Sequence, residues 1–311
     1  MSFDLVSLGL VCADVMVKPV DSLPDRGTLG LVPQLEMHLG GLAAVTAIAF
    51  RRLGGKSAFV GSIGNDGFGD YLYQHLAKNG VNLDGVKRSE TEGTPATVVL
   101  LSGEGERTFL HHAGTAKTFS EDDVDFAFLW RGKMVHWGGP AVTPGLDGEP
   151  IGRIFKRAKE AGLKTSFDTC YDGSGVWFPR IEHALPYTDI VMSSLEEARQ
   201  YTGKEDPDAI ADFYLSFGPQ IALIKLGSEG MFVKDANQTF KIPAHRVTPV
   251  DTTGAGDASC GGFLFGYLQG WDMERCAKLA NAVGALTVQA MGGSNGIANP
   301  EQAFALMDKA E

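Results

Sequence analysis

Short apolar runs alternate along the chain with segments whose apolar residues return at helical spacing. Phe3 to Leu10 is apolar almost throughout, contains Gly9 near its end, and is too short for a helix; it reads as a buried strand that opens a central sheet. From Gly41 to Leu53 the small and apolar residues, Ala44, Ile48 and Leu53 among them, recur with helical period and stop at Gly54-Gly55. A strand over Ser57 to Val60 follows at once. The same succession then repeats: a glycine turn from Gly61 to Gly69 leads into a helix over Tyr71 to Lys78, and a helix over Ile151 to Ala161 precedes a strand over Lys164 to Asp168. Ile190 to Met192 precedes a helix that starts at Leu195, and Ile221 to Lys225 follows another helix. Alternation of this kind predicts an α/β fold, a mainly parallel central sheet flanked by helices on both faces.

Two stretches break the alternation. About 15–39 and 94–111 read as extended segments with turns and no helical period, which predicts strands of a small separate β-sheet acting as a lid on a single domain spanning 1–311. An open sheet needs cover, and a second copy of the chain is a common way to supply it, so a homodimer through the lid is expected.

Composition narrows the functional classes. The chain has 311 residues, 44% of them apolar and 21% charged, enough for a self-sufficient core. The 27 basic and 38 acidic side chains leave a net charge of −11, which argues against nucleic acid as a partner. Cys12, Cys170, Cys260 and Cys276 are far apart and show no zinc or redox spacing, as expected of reduced thiols. With no basic leader and no run of about twenty apolar residues, a cytoplasmic protein without membrane attachment is expected.

The most informative segment is Asp251-Thr252-Thr253-Gly254-Ala255-Gly256-Asp257, followed by a helical pattern. A glycine turn at a helix N-terminus presents unpaired N–H groups, backed by the helix dipole, to an anion such as a transferring phosphoryl group. Asp257 stands directly after that turn, where its carboxylate would act as base toward an acceptor hydroxyl. Two nucleotide-site look-alikes fail: Gly55-Lys56-Ser57 resembles the end of a P-loop, but Phe50 stands where its first glycine should be, and Gly9 is followed by Leu10, Val11 and Cys12 instead of a dinucleotide fingerprint.

This segment resembles the second signature of the ribokinase-like, or PfkB, carbohydrate kinase family. Gly40-Gly41-Leu42-Ala43-Ala44, with Arg52-Leu53-Gly54 and the stretch from Val60 to Gly69 beyond it, resembles the first. The resemblance extends over nearly the whole chain and implies the ribokinase-like fold, Asp257 as catalytic base, and an anion hole from the backbone of Gly254, Ala255 and Gly256. On the acceptor side it implies Asp14 as a ligand of substrate hydroxyls, Gly40 and Gly41 at a close approach of the sugar, Arg107 as a lid arginine, and Asp168 lining the cleft. On the nucleotide side it implies Ser194, Lys225, Gly227, Ser228, Gly230, Gly256 and Asn281 around ATP, with Glu197 acting on hydrated Mg²⁺, a hard cation suited to carboxylate and water oxygens. A potassium site known in ribokinase maps to Asp251, Thr253, Thr287, Ala290 and Gly292.

Several positions depart from the family pattern: Val45 and Ser194 stand where Asn is usual, Gly138 where ribokinase has an acidic sugar ligand, and Gly296 where it has the serine of the potassium site. Cys170 likewise replaces the Asn of an Asp-x-Asn motif. The resemblance therefore implies an ATP-dependent kinase of a small sugar or sugar acid, with ribose a poor first guess. A nucleoside kinase of the same fold and a catalytically idle sugar-binding protein are the alternatives.

Overall fold

The computed structural model describes residues 2–104, 106–296 and 299–309; Gly105, within the second predicted lid segment, lies outside them. In chain order the strands are β1 (Phe3–Gly9), β2 (Cys12–Lys18), β3 (Gln34–Gly40), β4 (Ser57–Gly64), β5 (Asn82–Ser89), β6 (Ala96–Leu101), β7 (Arg107–His112), β8 (Gly132–Gly138), β9 (Lys164–Asp168), β10 (Ile190–Ser194), β11 (Ile221–Lys225), β12 (Met231–Asp235) and β13 (Thr239–Ile242). The helices are α1 (Leu42–Arg52), α2 (Gly67–Lys78), α3 (Phe126–Leu129), α4 (Glu149–Glu160), α5 (Leu195–Thr202), α6 (Pro207–Ser216), α7 (Ala255–Leu268), α8 (Met273–Thr287) and α9 (Pro300–Met307).

Among the described residues, nine strands form the central sheet in the order β13-β12-β11-β10-β9-β8-β1-β4-β5. It is parallel from β5 through β11, and β12 and β13 add an antiparallel edge. Strands such as β8 and β10 are apolar and buried over most of their length, because both faces of the sheet are covered. One core packs α1, α2, α7, α8 and α9 against the sheet, and a second packs α3, α4, α5 and α6 on its other face. All four cysteines are free thiols, and no helix among the described residues is long and apolar enough to cross a membrane.

Strands β9 and β11 and the start of α5 fall where the apolar pattern predicts them. The stretch from Gly61 to Gly69 does not form the glycine turn expected there: β4 continues to Gly64 and α2 begins at Gly67. Gly61 and Gly64 serve close approach instead, since a Cβ on Gly61 would lie 2.5 Å from the carbonyl of Gly9 and one on Gly64 would lie 2.6 Å from the amide of Thr94. The turn proper is Asn65-Asp66, and Asp66 caps α2 by accepting from the amide of Gly69 at 2.8 Å.

The second sheet has the order β3-β2-β6-β7, with β2 and β6 parallel and the outer pairs antiparallel. Its strands start at Cys12, earlier than the predicted segment, so Asp14 lies inside the sheet. The register aligns His38, Asp14, Thr97 and His111 in one row, one residue from each strand. Alternation gives the sheet two unlike faces. One carries this polar row; the other carries Val15, Val17, Leu35, Val98, Leu100 and Leu110, of which Leu35 and Leu110 are 64% and 60% exposed.

Candidate active site

The chain leaves β13, runs through an irregular segment, and enters α7 at Gly254, whose φ of 70° and ψ of 0° are the left-handed conformation that glycine adopts without strain. A Cβ there would also lie 2.5 Å from Cα of Gly293, so two glycines let the turn and the 289–296 loop touch. No side chain among the described residues caps α7. Its first turn, Ala255 and Gly256, borders a cavity of about 920 Å³. The positive end of the helix dipole therefore points into that space. The helix is buried on all sides from Ala258 to Gly266, and Thr46 on α1 donates to the carbonyl of Asp257 at 2.9 Å, which anchors the turn from behind.

Residues predicted around the nucleotide line this one cavity: Ser194, Lys225, Gly227, Ser228, Gly230, Gly256 and Asn281, together with Asp168, Glu197 and Asp257. Asn281 is also tied to backbone, donating to the carbonyls of Ile242 and Pro243 at 3.1 and 3.0 Å, so it holds the exit from β13 against α8. Ser194 and Glu197 form a reciprocal capping box at the start of α5, and Thr169 donates to Glu197 Oε2 at 2.7 Å. Burial raises the Glu197 carboxyl above its usual range.

Lys225 and Asp168, separately expected at the phosphates and in the substrate cleft, face each other: Nζ donates to both carboxylate oxygens at 2.6 and 2.7 Å. Burial, the largest single effect, opposes the Lys225 charge, but Asp168 together with Cys260, Glu197 and Asp257 raises the ammonium's pKa in balance. Burial, and after it the charge of Asp168, push the Asp257 carboxyl up to about 7 against the opposing pull of Lys225.

Asp14 lies on the polar face of the small sheet, and a Cβ on Gly40 would overlap its carboxylate. Burial pushes the Asp14 carboxyl up to about 6, with Asp251 adding to the rise. Gly41 precedes α1 with a φ of 97°; a side chain there would strike the Leu10 carbonyl and Val11 Cα, both 2.6 Å from its Cβ, so the chain's own backbone accounts for this glycine. Arg107 donates to the Thr253 hydroxyl at 3.2 Å. A Cβ on Gly138 would lie 2.6 Å from the amide of Ala43, which leaves no room for an acidic ligand, and Val45 is packed into the core.

Asp251 ties the two loops together, accepting from the amides of Thr253 and Gly292 at 2.9 Å each, while Thr287 accepts from the amide of Ala290 at 3.2 Å. Asp251, Thr253, Thr287, Ala290 and Gly292 thus adjoin, but a Cβ on Gly296 would overlap Thr287, so this position has no space for the missing serine. Among the described residues no group of three His, Cys, Asp or Glu side chains is placed to hold a metal ion.

The nine-stranded sheet and its four-stranded companion have the ribokinase-like fold. The chain belongs to the pfkB family of carbohydrate kinases, whose family model matches residues 2–300. It is 28% identical over 291 residues to 2-dehydro-3-deoxygluconokinase of Bacillus subtilis, covering 89% of each chain. It is 27% identical over 301 residues to 5-dehydro-2-deoxygluconokinase of Clostridium perfringens, covering 92% of this chain and 87% of the other. The structure of Arabidopsis thaliana ribokinase complexed with ribose and ATP superimposes with a TM-score of 0.86 over the full length of both chains at 24% identity.

Sequence reasoning passed over several residues that line the cavity, among them Thr169, Glu196, His245, Arg246, Thr252 and Gly284. His245 and Arg246 lie between Pro243 and Pro249, and that proline-bounded segment just before the glycine turn was the available signal.

Proposed function

We propose that this chain transfers the γ-phosphoryl group of ATP to a hydroxyl of a small sugar or sugar acid, with Asp257 as base. The observation that carries the reading is the position of Asp257 in the uncapped first turn of α7, at the wall of a cavity of about 920 Å³. Backbone N–H groups of Ala255 and Gly256 would hold the transferring group, which suits a reaction in which positioning and charge stabilisation do most of the work. Asp257 would take the hydroxyl proton; a carboxyl pushed up to about 7 is matched to proton transfer near neutrality. Asp14 and its row would receive the remaining hydroxyls of the acceptor, since a carboxylate accepts from two adjacent OH groups.

The donor set in the cavity suits a hydrated hard cation: Glu197 would hold magnesium through water, and bound magnesium would supply positive charge at the phosphates. Potassium would find mainly backbone oxygens at Asp251, Thr253, Thr287, Ala290 and Gly292. The small sheet would act as a lid that excludes water during transfer, and its open apolar face would pair two copies into a homodimer.

The test is ADP formation from Mg-ATP with a panel of pentoses, hexoses, ketoses, sugar acids and nucleosides, in K⁺ and in Na⁺. Turnover of a sugar or sugar acid supports the reading. Turnover of nucleosides alone would replace it with a nucleoside kinase, and silence across the panel would favour an idle binding protein.

A further inference from the structure

Asp168 ends β9 and Lys225 ends β11, strands that flank β10, so their side chains meet across the end of β10 at the wall of the cavity. The pair is bidentate, with Asp168 1% exposed and the Lys225 side chain 13% exposed. A Cβ on Gly256 would lie 3.1 Å from the ammonium nitrogen, which places that charge directly against the residue before Asp257. Cys260, one turn further along α7, is 3.9 Å from the same nitrogen. Buried charges are expensive to desolvate and apolar side chains would pack as well, so this pair is poorly explained by stability alone.

We propose that Asp168 and Lys225 are a positioning pair for the base: Asp168 fixes the ammonium against the anion turn, and the two opposite charges set how readily Asp257 takes up and releases a proton. The proposal rests on the reading of Asp257 as base. Asp168 favours the protonated carboxyl and Lys225 the carboxylate, and both act in the presence of Glu197 from α5 and Asp14 from β2, which push the same way as Asp168. The thiols of Cys170 and Cys260 also face Asp257, but burial raises both well above their ordinary range and leaves them uncharged.

The test is a ¹³C NMR titration of the Asp257 carboxyl in the full chain without nucleotide or sugar, its signal assigned by its loss in Asp257→Asn. In Asp168→Asn the midpoint is expected to fall by about one pH unit, and in Lys225→Met to rise by about one. Lys225→Arg, which keeps the charge, should return it toward the wild-type value. The double variant Asp168→Asn/Lys225→Met removes both charges together and should also stay near wild type. Each single variant decides alone, because each carries its own sign: a folded variant whose midpoint is unmoved, or moved the other way, overturns the proposal. So does a double variant displaced as far as either single. The titration needs no turnover, so it can fail while the kinase reading stands; the kinase reading fails separately if wild-type protein phosphorylates nothing on the panel.

Discussion

Arg107 on the small sheet and Thr253 on the turn before α7, 146 residues apart in sequence, are joined by a hydrogen bond of 3.2 Å. Two further contacts run alongside it: Lys18 on β2 donates to Met291 Sδ at 3.5 Å, and the ring of His38 on β3 fills the space where a side chain on Gly292 would stand. Three of the four strands therefore touch the two loops that Asp251 binds together.

Removing the first of these contacts should weaken alignment of the small sheet more than the fold. Arg107 is exposed, so its hydrogen bond stands at the low end of the range for a charged donor, about 1.5 kcal/mol. Arg107→Ala is expected to lower kcat/KM for the acceptor by about tenfold. Thermal unfolding of the variant should coincide with wild type to within about 2 °C. An unaltered kcat/KM in steady-state assays would show that the bond is incidental to the reaction.

Asp257→Asn should reduce turnover by about two to four orders of magnitude with little change in ATP affinity, as expected where a base acts chiefly in the transition state. Wild-type kcat/KM should fall as pH drops below about 7, where the carboxyl becomes protonated. Full turnover in the variant would remove Asp257 from the chemistry.

The same substitution makes a prediction about stability. The folded-state pKa of Asp257, about 7, lies above its ordinary 3.8, so folding favours the protonated form. The stability this group contributes is complete below the ordinary value and is lost as pH rises through about 7. The full difference corresponds to about 4 kcal/mol, which solvent at the cavity mouth reduces to about 2. Asp257→Asn should therefore be the more stable protein at pH 8, by urea unfolding, and lose that advantage by about pH 4. An advantage that is independent of pH would point to packing instead of charge.

Gly40→Ala tests the acceptor side. The added methyl would overlap the Asp14 carboxylate and must push it off its position across from His38. Overpacking of this kind costs about 1–3 kcal/mol. Acceptor KM should rise by about tenfold or more while ATP KM holds, which initial-rate kinetics can separate.

The open apolar face of the small sheet predicts self-association through Leu35 and Leu110. Sedimentation should show a dimer, and Leu110→Glu should convert it to monomer by placing a charge where apolar contact is required. A monomeric wild-type protein at all concentrations would rule out the pairing.

Much of the fold was legible because local pattern and global topology agree. The apolar stretches at Lys164–Asp168 and Ile221–Lys225 are short, bounded and fully explained by a sheet covered on both faces. Glycine was harder to read, because Gly61 and Gly64 look like turn residues and are needed instead where two backbones nearly touch. The turn at Gly254 was visible because both of its requirements, positive φ and the absence of a side chain, leave a mark on the sequence. The pairing of Asp168 with Lys225 left no such mark: 57 residues separate them, and only the strand order shows that β9 and β11 lie on either side of β10.

The all-round burial of α7 has a bearing on how the molecule can move. A helix packed on every side has no direction in which it can slide without opening the core, so Asp257 and the turn are effectively part of the rigid frame. Adjustment to an incoming acceptor must then fall to the four-stranded sheet, which touches the two loops of that frame through Arg107, Lys18 and His38. In hydrogen–deuterium exchange the amides from Ala258 to Gly266 should be among the last to exchange and those of β7, exposed along its whole length, among the first.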